Sequence, residues 1–275
     1  MLTPRRRVAA LLFAAVLAMP VAGPVAATEP DPGAVVPVTP EFLTQAELDL
    51  VHMTNDRRTA AGLVALRVDP DLMAIAHARA ELMAANDVLS HTEPDGRKVF
   101  DHLNEAGITW FAAGEIIVWN NYPLEYTTAA AIEAWVESPP HHEVMFSTGY
   151  NYVGFGAAVS ATGLRYYAGL FVREPDETGA WAKFGTITKR SVSHSYAQVT
   201  IRWAGGDRRL QVLTAGLRYF QVQRRRVGGS WVSWRITTAT HRTVTWSKTW
   251  DREVRVRARD RAGNWGPWQV IRIAV

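Results

Sequence analysis

The sequence contains no cysteine, and its acidic residues become scarce toward the end of the chain. Without cysteine, neither a disulfide framework nor a thiolate zinc site can form, so any metal site must use histidine and carboxylate ligands. The 275 residues are 48% hydrophobic and 20% charged, with 14 proline and 20 glycine residues. This composition excludes a disordered or collagen-like polymer and permits one large domain or two ordinary ones.

Apolar residues form a long run only near the N-terminus. Three arginines at positions 5–7 precede an apolar run at 8–19, and Val25-Ala26-Ala27 supplies the small residues that signal peptidase requires. Proline and glycine interrupt the run before it reaches the ~20 apolar residues of a membrane-spanning helix. We therefore predict a signal peptide at 1–27 and a secreted, extracellular protein with no transmembrane segment in the mature chain. An anchoring helix is the alternative.

The charges divide the chain into two parts of opposite sign. Residues 28–180 contain 8 Lys and Arg against 22 Asp and Glu, whereas residues 181–275 contain 19 against 4. Two modules with different partners are implied. A proline-rich stretch at 28–43 predicts an extended linker, and a polar, irregular stretch at 174–192 predicts a second one.

The stretch at 44–173 has the pattern of helices followed by strands. Thr44-Gln45-Ala46-Glu47 resembles a capping box, and Asp69-Pro70 marks the start of a second helix. Two apolar segments, 152–158 and 164–172, are separated by a short Thr-Gly turn and predict an antiparallel hairpin. Helices first and an antiparallel sheet later indicate an α+β layered domain.

The stretch at 193–275 consists of short alternating strands with glycine-rich turns, which predicts an all-β sandwich. Along its clearest strand, valine and alanine alternate with Arg255, Arg257 and Arg259, so one face of the sheet must be basic. Arg225 adds to this charge, and tryptophans are interleaved with the arginines. We predict that these four arginines bind anions. The alternative is a solvated face whose arginine stems cover the aromatic rings.

Three residues of the first domain could bind a metal ion. His91, Glu115 and His141 each fall in a loop or at the end of an element, and imidazole and carboxylate suit zinc or another divalent cation. Spacing alone is a weak signal, because no compact ligand motif is present. The alternative is two ordinary histidines and a solvated glutamate. His77 and His102 fall within predicted helices and are expected to be surface or packing residues.

The first domain resembles the CAP, or SCP-like, superfamily in its cysteine-free bacterial form. The matching features, in the family's order, are Asn55, Arg58, Gly62-Leu63, Leu66, Asp69, Leu72, Met83-Ala84-Ala85-Asn86, Ser90-His91, Ala113-Gly114-Glu115-Ile116, Trp135, Ser138-Pro139-Pro140-His141 and Val153-Gly154-Phe155-Gly156. The resemblance implies a three-layer α-β-α sandwich. It also implies a central cleft whose two histidines and acidic residues form a polar, sometimes metal-occupied site.

His91, Glu115 and His141 stand at the positions of that family site. The family's second glutamate falls at Ser138, with Glu137 beside it as a possible substitute. Other departures are Ile116 in place of an asparagine, and Pro140 and His142 in place of glycine and arginine. The second domain is similar to a fibronectin type III-like module, most visibly in Val254-Arg255-Val256-Arg257-Ala258 and Asp260-Arg261-Ala262-Gly263-Asn264-Trp265.

These observations favour a secreted binding protein over an enzyme. The polar cleft is expected to bind a divalent cation, and the basic module to bind an anionic envelope polymer or polysaccharide, with nucleic acid less expected. The alternative is a metal-dependent hydrolase of peptide or envelope polymer, with Glu115 or Glu137 as general base, or with Ser90 or Ser138 as a nucleophile. Lipid binding is a second alternative with family precedent.

Overall fold

The computed structural model describes residues 40–275. The predicted signal peptide at 1–27 and most of the predicted linker at 28–43 lie outside these residues. The final residues of that linker belong to the first helix, which begins at Pro40. Within the described part of the chain, no helix is both long enough and apolar enough to cross a membrane.

The first part of the described chain mixes helices with a four-stranded sheet. Its elements are α1 (Pro40–Ala60), β1 (Arg67–Val68), α2 (Pro70–Asn86), α3 (Val99–Glu105), β2 (Ala112–Asn120), α4 (Leu124–Glu137), α5 (Pro139–Met145), β3 (Tyr152–Val159) and β4 (Arg165–Arg173). The strand order is β1-β3-β4-β2, and only β1 and β3 are parallel. The mixed α/β architecture and the hairpin of β3 and β4 agree with the sequence prediction.

Helices cover both faces of this sheet, because successive strand residues point to opposite sides. Phe155 and Phe171 pack in one buried cluster with residues of α1 and α4, and the rings of Trp135 and Phe155 are 5.9 Å apart. On the other face, Leu170 joins Leu72 of α2 in a separate cluster with residues of α3. This arrangement places the sheet between two helical layers.

Two glycines allow α2 to lie directly against β3. A Cβ atom at Gly154 would come within 2.2 Å of the Leu72 carbonyl carbon, and one at Gly156 within 2.0 Å of the Ala76 carbonyl oxygen. Any larger residue would push the helix away from the sheet. The glycine pair therefore sets the position of α2, whose next turn carries Arg79.

Glu47 does not form the capping box that the sequence suggested. It lies inside α1 and is buried, and its Oε1 accepts a hydrogen bond from the Ala157 backbone N–H at 3.0 Å. The same oxygen is 2.5 Å from His77 Nδ1. Burial lowers the pKa of His77, but the hydrogen bond and negative charge of Glu47, together with Glu81, raise it above its ordinary value. His77 is thus part of a polar contact between α1 and α2.

The second part of the described chain consists of strands. They are β5 (Trp181–Phe184), β6 (Thr188–Ser191), β7 (Tyr196–Gly206), β8 (Leu217–Arg226), β9 (Val232–Thr237), β10 (His241–Ser247), β11 (Arg252–Asp260) and β12 (Gln269–Ile273). One sheet has the order β10-β7-β5, with β6 also paired to β7, and the other has the order β12-β11-β8-β9. The two sheets share one apolar core that includes Ile201 and Trp203 from the first and Val222 and Val256 from the second.

The prediction of an irregular linker at 174–192 was wrong in its second half. That segment contains β5 and β6, both of which pair with β7. All four residues of β6 are exposed, so no alternation of polar and apolar residues marks it in the sequence. Long-range pairing with β7, which the local sequence does not reveal, decides its conformation.

The two parts pack directly against each other. Leu210, from the loop between β7 and β8, is buried in the cluster that contains Leu72 and Tyr152 of the first part. The Asn151 side chain donates to the Val212 carbonyl at 3.2 Å, and the Val64 N–H donates to the Gln211 side chain at 2.7 Å. The described residues, 40–275, belong to one compact unit, so the intact chain is the appropriate object for experiments.

Glu174 is a buried carboxyl group close to this junction. Its side chain is only 2% exposed, and its Oε1 has no hydrogen-bond partner in the described part of the chain. Burial raises the pKa of Glu174 to about 8, and the negative charges of Asp69 and Glu177 add to the effect. The folded protein therefore holds a proton that the unfolded chain releases at much lower pH, so the stabilising contribution of this proton is lost as pH rises toward 8.

Glu174→Gln should remove this pH dependence. The amide keeps the shape of the protonated carboxyl, so the free energy of unfolding should match that of the wild type near pH 4. It should exceed the wild-type value increasingly up to pH 8, because the wild type must then bury a carboxylate or hold its proton. Urea unfolding between pH 4 and 9 tests this, with the exposed Glu125→Gln as control. A constant difference across this range would contradict the assignment.

Candidate functional site

A buried arginine lies at the centre of the polar residues of the first part. The Arg79 side chain is 2% exposed, with Nε 2.9 Å from Glu115 Oε1 and Nη1 3.0 Å from Glu93 Oε1. Its Nη2 donates to the Ser90 carbonyl at 2.9 Å. Glu93 and Glu115 are themselves 2% and 4% exposed. One guanidinium thus joins α2, the loop that follows it, and β2.

Two histidines extend this network toward solvent. His91 Nδ1 is 2.8 Å from Glu115 Oε2, and His102 Nε2 is 2.6 Å from Glu93 Oε1. Because an ionised carboxylate can only accept, these ring nitrogens are the donors. The His91 side chain is 52% exposed and that of His102 23%. The expectation that His102 is a surface or packing residue misses its hydrogen bond to a buried carboxylate.

His141 is the third residue of α5 and is half-buried. Burial lowers the pKa of His141, and the positive charge of nearby His91 lowers it further. Both effects favour the neutral imidazole, which is the form that binds metal ions. The structure thus places His141 within electrostatic range of His91.

Arg58 and Gly114 fix the position of α5. The buried Arg58 guanidinium donates through Nη1 to the carbonyls of Met145 and Ser147, at 2.6 and 3.0 Å, so it ties the end of α5 to α1. A Cβ atom at Gly114 would come within 2.9 Å of the Tyr150 hydroxyl and 3.2 Å of Val144. The glycine before Glu115 therefore allows β2 to approach α5.

The other predicted site residues are placed less favourably for catalysis. Glu137 is the exposed last residue of α4, and its carboxylate makes no hydrogen bond or ion pair in the described part of the chain. His142 stacks on Phe146, with ring centres 4.3 Å apart. The Ser90 hydroxyl donates to the Thr92 carbonyl at 2.8 Å. Neither the Ser90 nor the Ser138 hydroxyl is hydrogen-bonded to a histidine side chain, so these two serines form no nucleophile–base pair within the described residues.

Of the three predicted metal ligands, two are in direct contact with each other. His91 and Glu115 are in direct contact, but Glu115 already uses one oxygen for Arg79 and the other for His91. His91 donates through Nδ1, which leaves its Nε2 facing away from Glu115. The donor set therefore fits a divalent cation through the imidazoles of His91 and His141, with Glu115 orienting His91 from behind.

A different trio is the most closely gathered set of potential ligands. Within the described residues, Asp176, Asp207 and Asp260 alone bring three His, Asp or Glu ligand atoms within 4.8 Å of one another. Their oxygens accept bonds from backbone N–H groups, such as that of Gly216 to Asp207 at 2.6 Å. Burial, then the charges of the other two aspartates, raise the pKa of Asp207. These residues are far apart in the sequence, so no local motif indicates the cluster.

In the second part, arginine and tryptophan side chains alternate in a stack that we call the Arg–Trp ladder. Its members are Arg225, Trp231, Arg255, Trp268, Arg257, Trp265 and Arg259. Successive members of the ladder lie 4.4, 4.5, 4.3, 4.6, 3.9 and 5.3 Å apart, measured from guanidinium carbon to ring centre. The ladder contains all four arginines that the sequence predicts to bind anions.

Neutral side chains accept hydrogen bonds from the ladder arginines and orient them, and only one of these arginines pairs with a carboxylate of the described residues. Arg255 Nε donates to the Gln223 side chain and Arg257 Nε to that of Gln221, both at 2.8 Å. Arg225 pairs with Glu253 at 2.5 Å, but no carboxylate pairs with Arg255, Arg257 or Arg259 in the described part of the chain. The arginines thus cover the aromatic rings, as the alternative of a solvated face expected. Three of them still carry a positive charge that no described carboxylate balances.

Comparison with known proteins finds a family that the first part resembles. The model of the cysteine-rich secretory protein family, CAP, matches residues 51–171. These residues are similar to CAP domains, and we call the part of the chain that contains them the CAP domain. The matched segment contains Arg79, His91, Glu115 and His141, so the polar centre described above lies within the CAP domain.

Two curated relatives each match less than half of this chain. The chain is 26% identical over 123 residues to "Uncharacterized protein YkwD" of Bacillus subtilis, covering 45% of this chain and 46% of that one. It is 28% identical over 131 residues to "Uncharacterized membrane protein YlbC" of the same species, covering 47% and 35%. The chain thus spans less than half the length of these relatives.

Solved structures show similarity over a comparable span. An extracellular protein containing a SCP domain from Bacillus anthracis is 22% identical, with a TM-score of 0.43, over 51% of this chain and 45% of that one. A cysteine-rich secretory protein from Staphylococcus aureus is 20% identical, with a TM-score of 0.40, over 50% and 40%. An outer surface protein from Borrelia burgdorferi is 19% identical, with a TM-score of 0.43, over 47% and 93%.

Arg79→Met should destabilise the CAP domain strongly. It leaves Glu93 and Glu115 buried without their cation, which costs about 3–5 kcal/mol in comparable buried pairs. Arg97→Met is the matched control, because Arg97 also approaches Glu93, at 3.6 Å, but its side chain is 42% exposed. The control should cost much less, because Arg97 is exposed and solvent screens its ion pairs. Urea unfolding at pH 7 measures both, and similar losses in the two variants would refute the structural role of Arg79.

Proposed function

We propose that this protein is exported and attaches its CAP domain to anionic polymers of the cell envelope through the Arg–Trp ladder. The observation that carries the proposal is the ladder itself, in which three of the four oriented arginines have no carboxylate partner within the described residues. The predicted signal peptide supports export.

The geometry of the ladder suits a linear polyanion. Arg255, Arg257 and Arg259 lie on one face of β11 at every second residue, which spaces them by about 7 Å along the strand. Stacking between tryptophan rings and bonds to neutral acceptors hold each guanidinium in place before a ligand arrives, so little side-chain entropy remains to be lost on binding. A polymer with regularly repeated phosphate or carboxylate groups can contact several of these arginines at once.

The acidic CAP domain does not neutralise this surface directly. Among the described residues, every ion pair joins two residues of the same part, and none links the CAP domain to the strands that follow it. The basic face therefore keeps its capacity for an external anion. Secreted polymers such as teichoic acids or acidic polysaccharides are ligands of the required charge.

Replacing two ladder arginines should weaken binding to the envelope. Arg255→Gln combined with Arg257→Gln should reduce binding of the intact chain to teichoic acid-containing cell walls about tenfold at low salt, because two charged contacts are lost. Wild-type binding should fall as ionic strength rises. Cosedimentation measures both effects.

The matched control for this prediction is Arg208→Gln combined with Arg209→Gln. It removes the same charge from an exposed loop outside the ladder and should change binding less than twofold. Equal losses of binding in the two double variants would mean that binding depends on the net charge of the protein and not on the ladder. Absence of wild-type binding at low salt would refute the envelope proposal.

We further propose that His91 and His141 bind a divalent cation such as zinc in the CAP domain. Glu93, Glu115 and Arg79 together carry one net negative charge in a buried region, which favours a cation beside them. A bound zinc ion would supply Lewis acidity at this position. Both oxygens of Glu115 are engaged, so it fits a positioning role better than that of a general base. This arrangement favours binding over the hydrolase alternative.

Calorimetric titration of Zn²⁺ into the intact chain tests the metal site. Binding near one equivalent is expected, and His91→Ala or His141→Ala should abolish it. Glu115→Gln should weaken it about 10–100-fold, as expected for the loss of a residue that orients a ligand. The exposed His52→Ala is the control and should bind normally. No binding by folded wild-type protein, or an equal loss in His52→Ala, would refute the site.

A further inference from the structure

Three arginines occupy positions on the core-facing side of the second sheet of the strand-rich part. Side chains alternate along a strand, so Arg224 and Arg226 of β8 face the same way as the buried Val222. Arg252 of β11 likewise faces the same way as the buried Val254. The register places Arg252 directly opposite Arg226. Arg224 and Arg226 are exposed and Arg252 is half-buried, so the arginines continue this face beyond the point where its buried apolar residues end.

These arginines line a cavity of about 250 Å³, which we call the arginine pocket. Its lining consists of Arg224, Arg225, Arg226, Val232, Trp246 and Arg252. Trp246 comes from β10 of the other sheet and is 5% exposed, so the pocket lies between the two sheets. No carboxylate belongs to this lining.

Aromatic rings hold the arginines of the pocket in place. The guanidinium carbon of Arg224 is 5.3 Å from the Trp234 ring centre, and that of Arg226 is 5.3 Å from the Trp250 ring centre. Arg252 approaches Trp246 at 6.0 Å. The rings orient the positive charges but provide no counter-charge of their own.

The positive charges of the pocket lack a counter-charge among its lining residues. Like charges directly opposite each other on neighbouring strands are destabilising. Burial lowers the pKa of Arg252, and the charges of Arg226 and Arg224 lower it further. Its Nη1 is buried and has no hydrogen-bond partner within the described part of the chain. A buried donor without an acceptor is unfavourable, and an anion in the pocket would supply both an acceptor and the missing charge.

We propose that the arginine pocket binds a phosphate monoester group. A dianion matches three uncompensated guanidinium groups better than a singly charged sulfate ester or carboxylate, and arginine presents paired N–H groups suited to phosphate oxygens. The volume lies just below the ~300 Å³ at which pockets for drug-sized ligands begin, so it suits one anionic group with a short attachment. The site shares Arg225 with the Arg–Trp ladder but differs from it in its other arginines, because Arg224, Arg226 and Arg252 point to one face of the sheet and Arg255, Arg257 and Arg259 to the other.

The test is calorimetric titration of inorganic phosphate into the intact chain at pH 7.5 and constant ionic strength. One equivalent should bind, and Arg252→Gln and Arg226→Gln should each weaken binding at least tenfold. Arg208→Gln removes the same charge from an exposed loop outside both the pocket and the ladder and should weaken binding less than twofold. Unchanged affinity in Arg252→Gln, or an equal loss in Arg208→Gln, would overturn the proposal, as would absence of binding to the wild type at millimolar phosphate.

Thermal unfolding without phosphate separates binding from folding. Arg252→Gln should unfold at the same temperature as the wild type or higher, because it relieves repulsion between like charges, and added phosphate should stabilise only the wild type. A lower unfolding temperature together with phosphate stabilisation equal to that of the wild type would overturn the assignment.

Two further titrations distinguish the source of the phosphate group. Glycerol 3-phosphate represents a soluble ester, and vesicles containing phosphatidic acid represent a lipid headgroup. Binding of either that Arg252→Gln abolishes supports the site and identifies its source. If both probes bind and Arg252→Gln changes neither affinity, the proposal is contradicted.

Discussion

The charge balance around Arg79 is the constraint on which the polar centre of the CAP domain depends. Two carboxylates that are almost fully buried would be very unfavourable without a cation between them, and Arg79 satisfies one oxygen of each. The same guanidinium fixes the loop after α2 through the Ser90 carbonyl. His91, on that loop, can then reach the remaining oxygen of Glu115. The exposed histidine is thus positioned by a buried ion pair.

The sequence indicated His91 and Glu115 of this centre and missed Arg79 and Glu93. His91 and Glu115 were predicted as metal ligands, and their side chains lie 2.8 Å apart. Arg79 and Glu93 were not predicted, because charged residues in a helix and in a polar loop are usually solvated. Their burial depends on partners contributed by β2 and α3, and on the close approach of α2 to β3 that Gly154 and Gly156 allow. No local pattern contains that information.

A similar division holds for the fold. The start of α2 at Asp69-Pro70 and the hairpin of β3 and β4 have clear local signals, and the sequence places them within a few residues. By contrast, α5 begins with two prolines, β6 is exposed along its length, and β10 has a single buried residue, Trp246. These elements form because neighbouring strands and helices provide their hydrogen bonds and packing. The linker prediction at 174–192 failed for this reason.

The chain stabilises buried and stacked arginines in two different ways. One way gives an arginine a structural role, and the other leaves it able to bind an anion. In the CAP domain, Arg79 is surrounded by carboxylates, so its capacity for anions is already used and its role is to position other groups.

In the strand-rich part, tryptophan rings replace most of the carboxylates. A ring face attracts a guanidinium and shields its stem, but it leaves the positive charge without a counterion. Arginines held in this way are ordered and still able to accept an anion. The excess of basic residues after position 180 therefore has a structural basis, because the tryptophans allow many like charges to be placed close together on one small module.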